Sequence, residues 1–276
     1  MYLSGQRVRW WASEGNHAPG DNPTQPMILP NETAGIKLKR KVNGNGFVLY
    51  RGMKNGKRFA VIATLKTRNK KTGNMAQIWF LLEDVNPVEA VKTGLDAKTI
   101  CNGCIFAAGN GCYVNVGQAP LSIWKAFKRG AYKTLDPVDY SAVFSGRKVR
   151  FGAYGNPSLL PLSIVRAISG ASAGWTGYFH DWKTNPLASS YAQYFMASTE
   201  TASSLALAQS LKFRTFHVSP VKPEGLRECL SDSHGLQCAD CKLCAGLSKA
   251  SQASIWINPH GAKSGRANAA ALSLVN

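Results

Sequence analysis

The sequence lacks several features that would assign it to a well-known class. No apolar stretch approaches the ~18–20 residues that a membrane-spanning helix needs. Residues 1–30 lack the apolar core of a secretory signal peptide. The chain contains neither a Gly-x-x-x-x-Gly-Lys-Ser/Thr phosphate loop nor a His-Glu-x-x-His zinc helix, and it has no repeat typical of a solenoid. We therefore expect a cytoplasmic protein with one large domain or two small ones.

Acidic residues are scarce. The chain has 33 Lys and Arg against 15 Asp and Glu, a formal net charge of +18. Residues 37–71 hold twelve Lys and Arg and no acidic residue, with Lys54, Lys57 and Arg58 predicted in one loop and Arg68, Lys70 and Lys71 in the next. Such a field favours a polyanion, most simply nucleic acid, through phosphate neutralisation. The alternative is a solvated surface that only maintains solubility.

Cysteine is absent outside two short segments. The early set is Cys101, Cys104 and Cys112, and the late set is Cys229, Cys238, Cys241 and Cys244. Cytoplasmic thiols stay reduced, and an odd total of seven would leave one thiol over in any set of disulfides. The two sets are therefore predicted to be metal ligands or catalytic groups.

The late set has the sharper spacing. Cys238, Cys241 and Cys244 form Cys-x-x-Cys-x-x-Cys, and Cys229 lies upstream as a fourth thiol. Three thiolates at this interval are similar to the start of a bacterial ferredoxin loop, which wraps a 4Fe–4S cluster. A tetrahedral zinc site with four thiolates is the competing interpretation, and a set without metal is the third.

The early set has only three thiols. Three thiolates are incomplete for structural zinc, but they suit a 4Fe–4S cluster whose fourth iron is open to a ligand. The alternatives are a zinc site completed by a His or by a cysteine of the late set, or one buried thiol beside a Cys-x-x-Cys pair.

The pattern of apolar residues predicts an α/β fold. Residues 36–97 read as a basic antiparallel β-meander with a short helix, after a loosely structured lead-in over residues 1–35. Residues 98–260 alternate strands and helices, which predicts a partial (β/α) barrel or an open parallel sheet flanked by cysteine-rich metal-binding loops. Residues 261–276 read as a tail.

Several motifs together resemble a group of uncharacterised proteins of phages and mobile elements. They are "ICNGC…GCYVNVGQAP", "VRFGAYGNPSLLPLSIV", "GWTGYFHDW" and "CADCKLCAG". Their layout is similar to that of radical S-adenosylmethionine (SAM) enzymes, in which cysteines precede a βα array. This chain differs in its cysteine spacing of two and then seven residues, and in having Asn156 where an acidic residue usually stands.

The resemblance carries implications for the site. The early set would hold a 4Fe–4S cluster whose open iron binds SAM, and Gly152, Gly155 and Asn156 would lie near the amino end of SAM. An electron from the cluster would cleave SAM to a 5′-deoxyadenosyl radical. The late set would occupy the place of an auxiliary cluster.

Two functions follow as hypotheses. The first is a radical SAM-like iron–sulfur enzyme acting on a nucleic-acid or nucleotide-derived substrate, in the host cytoplasm if a phage encodes it. The second is a non-enzymatic nucleic-acid-binding protein of a phage or mobile element, stabilised by zinc or an iron–sulfur cluster. His180 with Asp181, after a predicted strand, is a candidate for substrate orientation or proton exchange, and His217, at the end of a later predicted strand, is another.

Overall fold

The computed structural model describes residues 43–248, 253–261 and 263–272. All of them belong to one compact unit, residues 39–276, and the predicted lead-in over residues 1–35 lies outside the described part. The strands are β1 Gly46–Lys54, β2 Lys57–Thr64, β3 Met75–Leu82, β4 Lys133–Thr134, β5 Lys148–Tyr154, β6 Gly174–Thr176, β7 Tyr178–Phe179, β8 Met196–Thr199, β9 Thr215–Val218, β10 Arg227–Glu228 and β11 Ile255–Ile257. The helices are α1 Pro87–Lys92, α2 Leu95–Lys98, α3 Ala119–Lys128, α4 Tyr140–Phe144, α5 Leu162–Ala171, α6 Ala188–Tyr191, α7 Ala202–Ser210, α8 Leu230–Ser233, α9 Cys238–Cys241 and α10 Ser264–Leu272.

The predicted antiparallel meander is confirmed. Strand β2 pairs antiparallel with both β1 and β3. The turn between β1 and β2 is Asn55-Gly56, and both residues have positive φ, as a tight two-residue hairpin requires. Asn and Gly tolerate this conformation best, which is why the dipeptide marks the turn in the sequence.

The meander continues into a mixed sheet of six strands, in the order β4-β1-β2-β3-β5-β6. Strand β3 pairs parallel with β5, and β5 pairs parallel with β6. All eight residues of β3 are buried, because α1 and α3 contact it and its Gln77 and Trp79 side chains line an internal cavity. The boundary predicted after residue 97 therefore does not separate two sheets.

The second sheet is entirely parallel and has five strands, in the order β10-β11-β9-β8-β7. Residues 174–179 join the two sheets, since β6 pairs with β5 and β7 pairs with β8. Gly177 lies at the change of partner, where an added Cβ would approach Phe195 to 2.8 Å and Phe151 to 3.1 Å. Within the described residues the sheets do not close into a barrel.

The region predicted as a tail contains helix α10. Its Ala267 backbone packs directly against Gly111 of the segment that carries the early cysteines, so close that no Cβ fits at Gly111. Across the described residues, no helix is long and apolar enough to span a membrane.

Candidate functional site

A cavity of about 380 Å³ is lined by inward side chains from β3, β5, β7, β8, β9 and β11. These strands run parallel wherever they pair with one another, so the cavity has a carboxyl end and an amino end. Six of the seven cysteines line it, namely Cys101, Cys104, Cys112, Cys229, Cys238 and Cys244. The two sets, distant in sequence, thus face one space.

The early cysteines lie at the carboxyl end. Three successive turns shape their loop, with Cys104 N–H donating to Cys101 O, Ala107 N–H to Cys104 O and Cys112 N–H to Phe106 O. Just before Cys101, the Ile100 carbonyl accepts a 2.7 Å hydrogen bond from the Asn156 N–H beyond β5. The loop is therefore held where β5 ends.

Cys238, Cys241 and Cys244 lie in one loop, the late loop, which contacts the amino ends of the strands. Cys238 N–H donates to Lys71 O ahead of β3, and Lys148 at the start of β5 pairs with Asp240 at 3.1 Å. Gly177 N–H donates to the Cys244 carbonyl at 2.7 Å. A late loop docked on three strand starts places its thiols opposite the early set.

Arg214 fixes the end of the late loop through hydrogen bonds. Its buried guanidinium donates to four backbone carbonyls, those of Leu243, Ala245, Gly246 and Ala253. Cys229, after β10, is fixed separately by its N–H, which donates to Trp256 O on β11 at 2.9 Å. Cys241 does not line the cavity.

Burial from solvent raises the pKa of most of the cysteine thiols. It is the largest cause raising the pKa of Cys101, Cys104 and Cys112 above the ordinary value, and it also raises the pKa of Cys238 and Cys244. Metal binding to these cysteines would therefore have to release protons. The described residues contain no group of three or more His, Cys, Asp or Glu side chains already arranged to hold a metal ion. The metal assignment of all seven cysteines stays a prediction, and the donor set alone, all thiol, fits iron–sulfur or zinc.

The three predicted SAM contacts occupy different places. Gly152 and Gly155 line the cavity with positive φ, and a Cβ on Gly155 would meet Phe80. Asn156 is fully buried and does not line it. Its side-chain amide donates to the Asn102 carbonyl, and its side-chain oxygen accepts from the His180 N–H, both at 3.3 Å. Asn156 thus braces the early loop against the end of β7.

His180 and Asp181 have separate surroundings. The His180 ring lines the cavity, its Nδ1 has no hydrogen-bond partner among the described residues, and burial lowers its pKa to about 4. Asp181 instead accepts hydrogen bonds from Ser158 at 2.6 Å and from Asn102 and Asn185 at 3.1 Å. Of the pair, Asp181 is engaged by three side chains, whereas the buried Nδ1 of His180 has no partner among the described residues.

His217 lies away from the cavity lining. Its Nδ1 is 2.9 Å from the Thr199 hydroxyl on the neighbouring strand, and burial lowers its pKa to about 4. This contact satisfies a buried, neutral histidine. We therefore assign His217 a structural role in the parallel sheet.

Sequence reasoning missed a polar group in the middle of the cavity. Arg150 on β5 is 7% exposed, its guanidinium carbon lies 4.4 Å from the centre of the Tyr178 ring, and its Nη2 donates to the Tyr113 hydroxyl at 3.3 Å. The two tyrosine hydroxyls are 2.8 Å apart, and Tyr113 stacks on His260. The one signal for this group in the sequence is a charge within the apolar strand "VRFGAY".

The basic segment is partly paired. Arg51 contacts Glu83 at 2.8 Å and Arg58 contacts Asp84 at 3.0 Å. Lys71 contacts Asp232 at 2.7 Å and His260 at 3.1 Å, which joins it to the late loop. Lys57, Lys66, Arg68 and Lys70 are exposed and form no ion pair within the described residues. Residues 37–42 lie outside the described part.

No protein-family model, curated protein or solved structure matches the chain.

Proposed function

We propose that the protein is an iron–sulfur protein with two cysteine-held sites, and that it acts as a radical SAM-like enzyme on a nucleic-acid or nucleotide-derived substrate. The observation that carries the proposal is that six cysteines, drawn from both sets, line one cavity. Thiols that only filled a core would have no reason to converge on the same space. A molecule bound in the cavity would lie against both sets.

The fold proposed with this function is a partial (β/α) barrel. Six strands contribute inward side chains to the cavity, and residues 174–179 carry the parallel array from one sheet into the other. Sites of this architecture lie at the carboxyl ends of the strands, which is where the early cysteine loop is found.

At the carboxyl end, Cys101, Cys104 and Cys112 would hold a 4Fe–4S cluster and leave one iron for SAM. When bound, this group supplies the electron that cleaves SAM reductively. The chain contributes a closely fitted backbone at Gly152 and Gly155, where a side chain would intrude on the cavity or its wall. It also contributes the neutral His180, whose buried Nδ1 has no partner among the described residues and would orient a substrate or accept its proton only after the ring turns toward the cavity.

At the amino end, Cys229, Cys238, Cys241 and Cys244 would hold the second cluster, with zinc as the alternative occupant. Four thiolates suit either group. The loop carrying three of them is fixed by Arg214 and by its contacts with the starts of β3 and β5. These contacts restrict the movement of the three thiols when they bind a metal.

The proposed substrate class is inferred from the charged residues in and around the cavity. No Asp or Glu lines the cavity among the described residues, whereas Arg150 and Lys71 do. Outside, Lys57, Arg68 and Lys70 are exposed cations that attract phosphate. This exposed charge also favours the second candidate, a metal-stabilised nucleic-acid-binding protein of a phage or mobile element that performs no chemistry.

The test is to purify or reconstitute the protein anaerobically and to measure iron, sulfide, zinc and absorbance. We expect brown protein with broad absorbance near ~400 nm. Reduced protein titrated with SAM should show a changed electron paramagnetic resonance signal, and Cys104→Ala should abolish that response while Cys241→Ala retains it. Colourless protein with stoichiometric zinc would refute the enzyme and favour the second candidate. Iron-loaded protein that ignores SAM would leave an electron-transfer or structural protein.

A further inference from the structure

Arg150 carries a buried charge in the wall of the cavity. The residue lies on β5, lines the cavity and is 7% exposed. Every ion pair among the described residues uses another cation. Burying a charge without a counter-charge is costly, so an anion is expected beside the guanidinium.

Most of the guanidinium donors are left for that anion. Within the described part of the chain, the one hydrogen bond of Arg150 runs from Nη2 to the Tyr113 hydroxyl at 3.3 Å. Its Nε and Nη1 make no such bond, and neither is among the polar atoms that are sealed from solvent without a partner. Both nitrogens are therefore open to the cavity that Arg150 lines. The planar fork of arginine matches the paired oxygens of a carboxylate or a phosphate.

The guanidinium is held in place by its neighbours. Its carbon lies 4.4 Å from the centre of the Tyr178 ring, and that ring stacks on Phe216 at 4.3 Å. Tyr113, which accepts from Nη2, has its hydroxyl 2.8 Å from that of Tyr178 and stacks on His260. Side chains that are already fixed lose little freedom when a ligand binds, which favours a preformed site.

The ionisable groups around the cavity leave the positive charge unbalanced. No Asp or Glu of the described residues lines the cavity. Asp232 pairs with Lys71, and Asp240 pairs with Lys148. Burial raises the pKa of the Tyr178 hydroxyl and of five of the cavity thiols, so these groups are neutral. The counter-charge must therefore come from a molecule in solution.

The cavity indicates the size and character of that molecule. Its volume of about 380 Å³ is typical of pockets that hold small molecules, which span ~300–1,000 Å³. The wall includes the apolar side chains of Trp79, Phe106, Phe216 and Ile257. An apolar or planar body can pack against this wall while an anionic group meets Arg150.

We propose that Arg150 anchors a ligand site in this cavity, where it binds the carboxylate or phosphate of a small organic anion whose apolar part packs against the aromatic wall. In making that anion a nucleotide-derived substrate the inference rests on the proposed function, whereas the binding itself requires neither metal nor SAM.

The experiment measures binding to the full-length protein, purified anaerobically and with its metal content recorded. The phosphate probe is UMP, with uridine as its uncharged counterpart, and the carboxylate probe is benzoate, with benzamide as its uncharged counterpart. Calorimetry gives the affinities, and thermal unfolding at constant ionic strength gives the stabilisation that each probe confers on the folded state.

The variants are Arg150→Gln and Arg150→Met, because an apolar side chain often replaces a buried charge without loss of folding. Arg58→Gln is the control, since it removes the same formal charge from an exposed arginine paired with Asp84. We expect UMP or benzoate to bind the parent about tenfold more tightly than its uncharged counterpart and to raise the melting temperature. Both Arg150 variants should bind the charged probe only as weakly as its counterpart, and Arg58→Gln should match the parent.

Charged probes that bind the parent no better than their counterparts, or that bind Arg150→Gln as tightly as the parent, would overturn the inference. If both Arg150 variants are insoluble, the comparison of charged and uncharged probes on the parent decides. A short single-stranded DNA that needs Arg150, with no binding of the small probes, would overturn it and assign Arg150 to a nucleic-acid interface.

The outcomes for the two proposals are separable. Iron-free protein that binds UMP through Arg150 would support the ligand site and contradict the radical SAM-like enzyme. Iron-loaded protein that responds to SAM and binds neither charged probe would support the enzyme and overturn the ligand site.

Discussion

Replacing Asn156 by Ala tests how the early cysteine loop is held. The side chain is fully buried and bridges the Asn102 carbonyl of the loop to the His180 N–H at the end of β7. The backbone N–H of residue 156, which binds Ile100 O, survives the substitution. The variant therefore removes two side-chain hydrogen bonds and leaves the backbone contact in place.

The expected loss follows from those two bonds. Each intramolecular hydrogen bond contributes about 0.5–1.5 kcal/mol net, so the free energy of unfolding should fall by about 1–3 kcal/mol. For a domain of roughly this size, 1 kcal/mol lowers the melting temperature by about 2–4 °C, which predicts a fall of about 2–12 °C. Both bonds are 3.3 Å long, which favours the lower half of that range.

The assay is thermal unfolding of metal-free protein without SAM. Asn110→Ala is the matched control, since Asn110 is an exposed asparagine of the same cysteine loop. Its melting temperature should stay within about 1 °C of the parent, as surface substitutions usually do. An Asn156→Ala protein as stable as the parent, but with a lost SAM response, would refute the bracing role and identify Asn156 as a SAM contact.

Three other outcomes are expected. Cys241→Ala should lose the late metal and keep the early one, and Cys104→Ala should do the reverse, as metal analysis of each variant will reveal. Arg68→Ser with Lys70→Ser should flatten the slope of log affinity for DNA or RNA against log salt by roughly 1.4–1.8, and an unchanged slope would exclude phosphate contacts there. Because burial lowers the pKa of His217 to about 4, the unfolded state binds more protons between that pH and about 6.5, so stability should fall as the pH drops through this window. The fall is at most on the order of 3 kcal/mol. His217→Asn should reduce it in urea titrations, and an identical pH profile would contradict the assignment.

Much of the fold was readable from the sequence. The sequences "KVRFGAY" and "APLSIWKAFK" predict a strand and an amphipathic helix, and they form strand β5 and helix α3. These segments combine apolar periodicity with clear limits such as Pro120 in the first helical turn and Gly130 after the last. Local chemistry was sufficient there because it agrees with the tertiary packing.

The shortest strands and helices could not be predicted from the sequence. Strands β4 and β10 have two residues each and exist because β1 and β11 offer edges to pair with. Helix α10 reads "SGRANAAAL", whose small residues give little apolar periodicity. Its alanines allow the helix to pack closely against the early cysteine loop, as Ala267 does against Gly111. The need for small residues becomes apparent only once the two segments are in contact.

Cysteine spacing predicted two sets but not their relation. Lys71 belongs to the basic segment expected to contact a polyanion, although it pairs with Asp232, and Arg150 is a buried charge of the cavity that spacing alone does not reveal. A charged residue in a buried strand acquires its role from what the topology places opposite it. For Arg150 these partners are Tyr113, which precedes it in the early cysteine loop, and Tyr178, which follows it on β7.

The placement of the two sets argues against one shared metal site. Strand β5 has seven residues, so its ends are about 20 Å apart, with the late loop contacting Lys148 at one end and the early loop contacting Asn156 beyond the other. Thiolates bind one zinc ion at ~2.3 Å each, so a zinc ion shared between the two loops would require one of them to leave these contacts. The two sets should load and lose metal independently, and a molecule in the cavity between them would contact both.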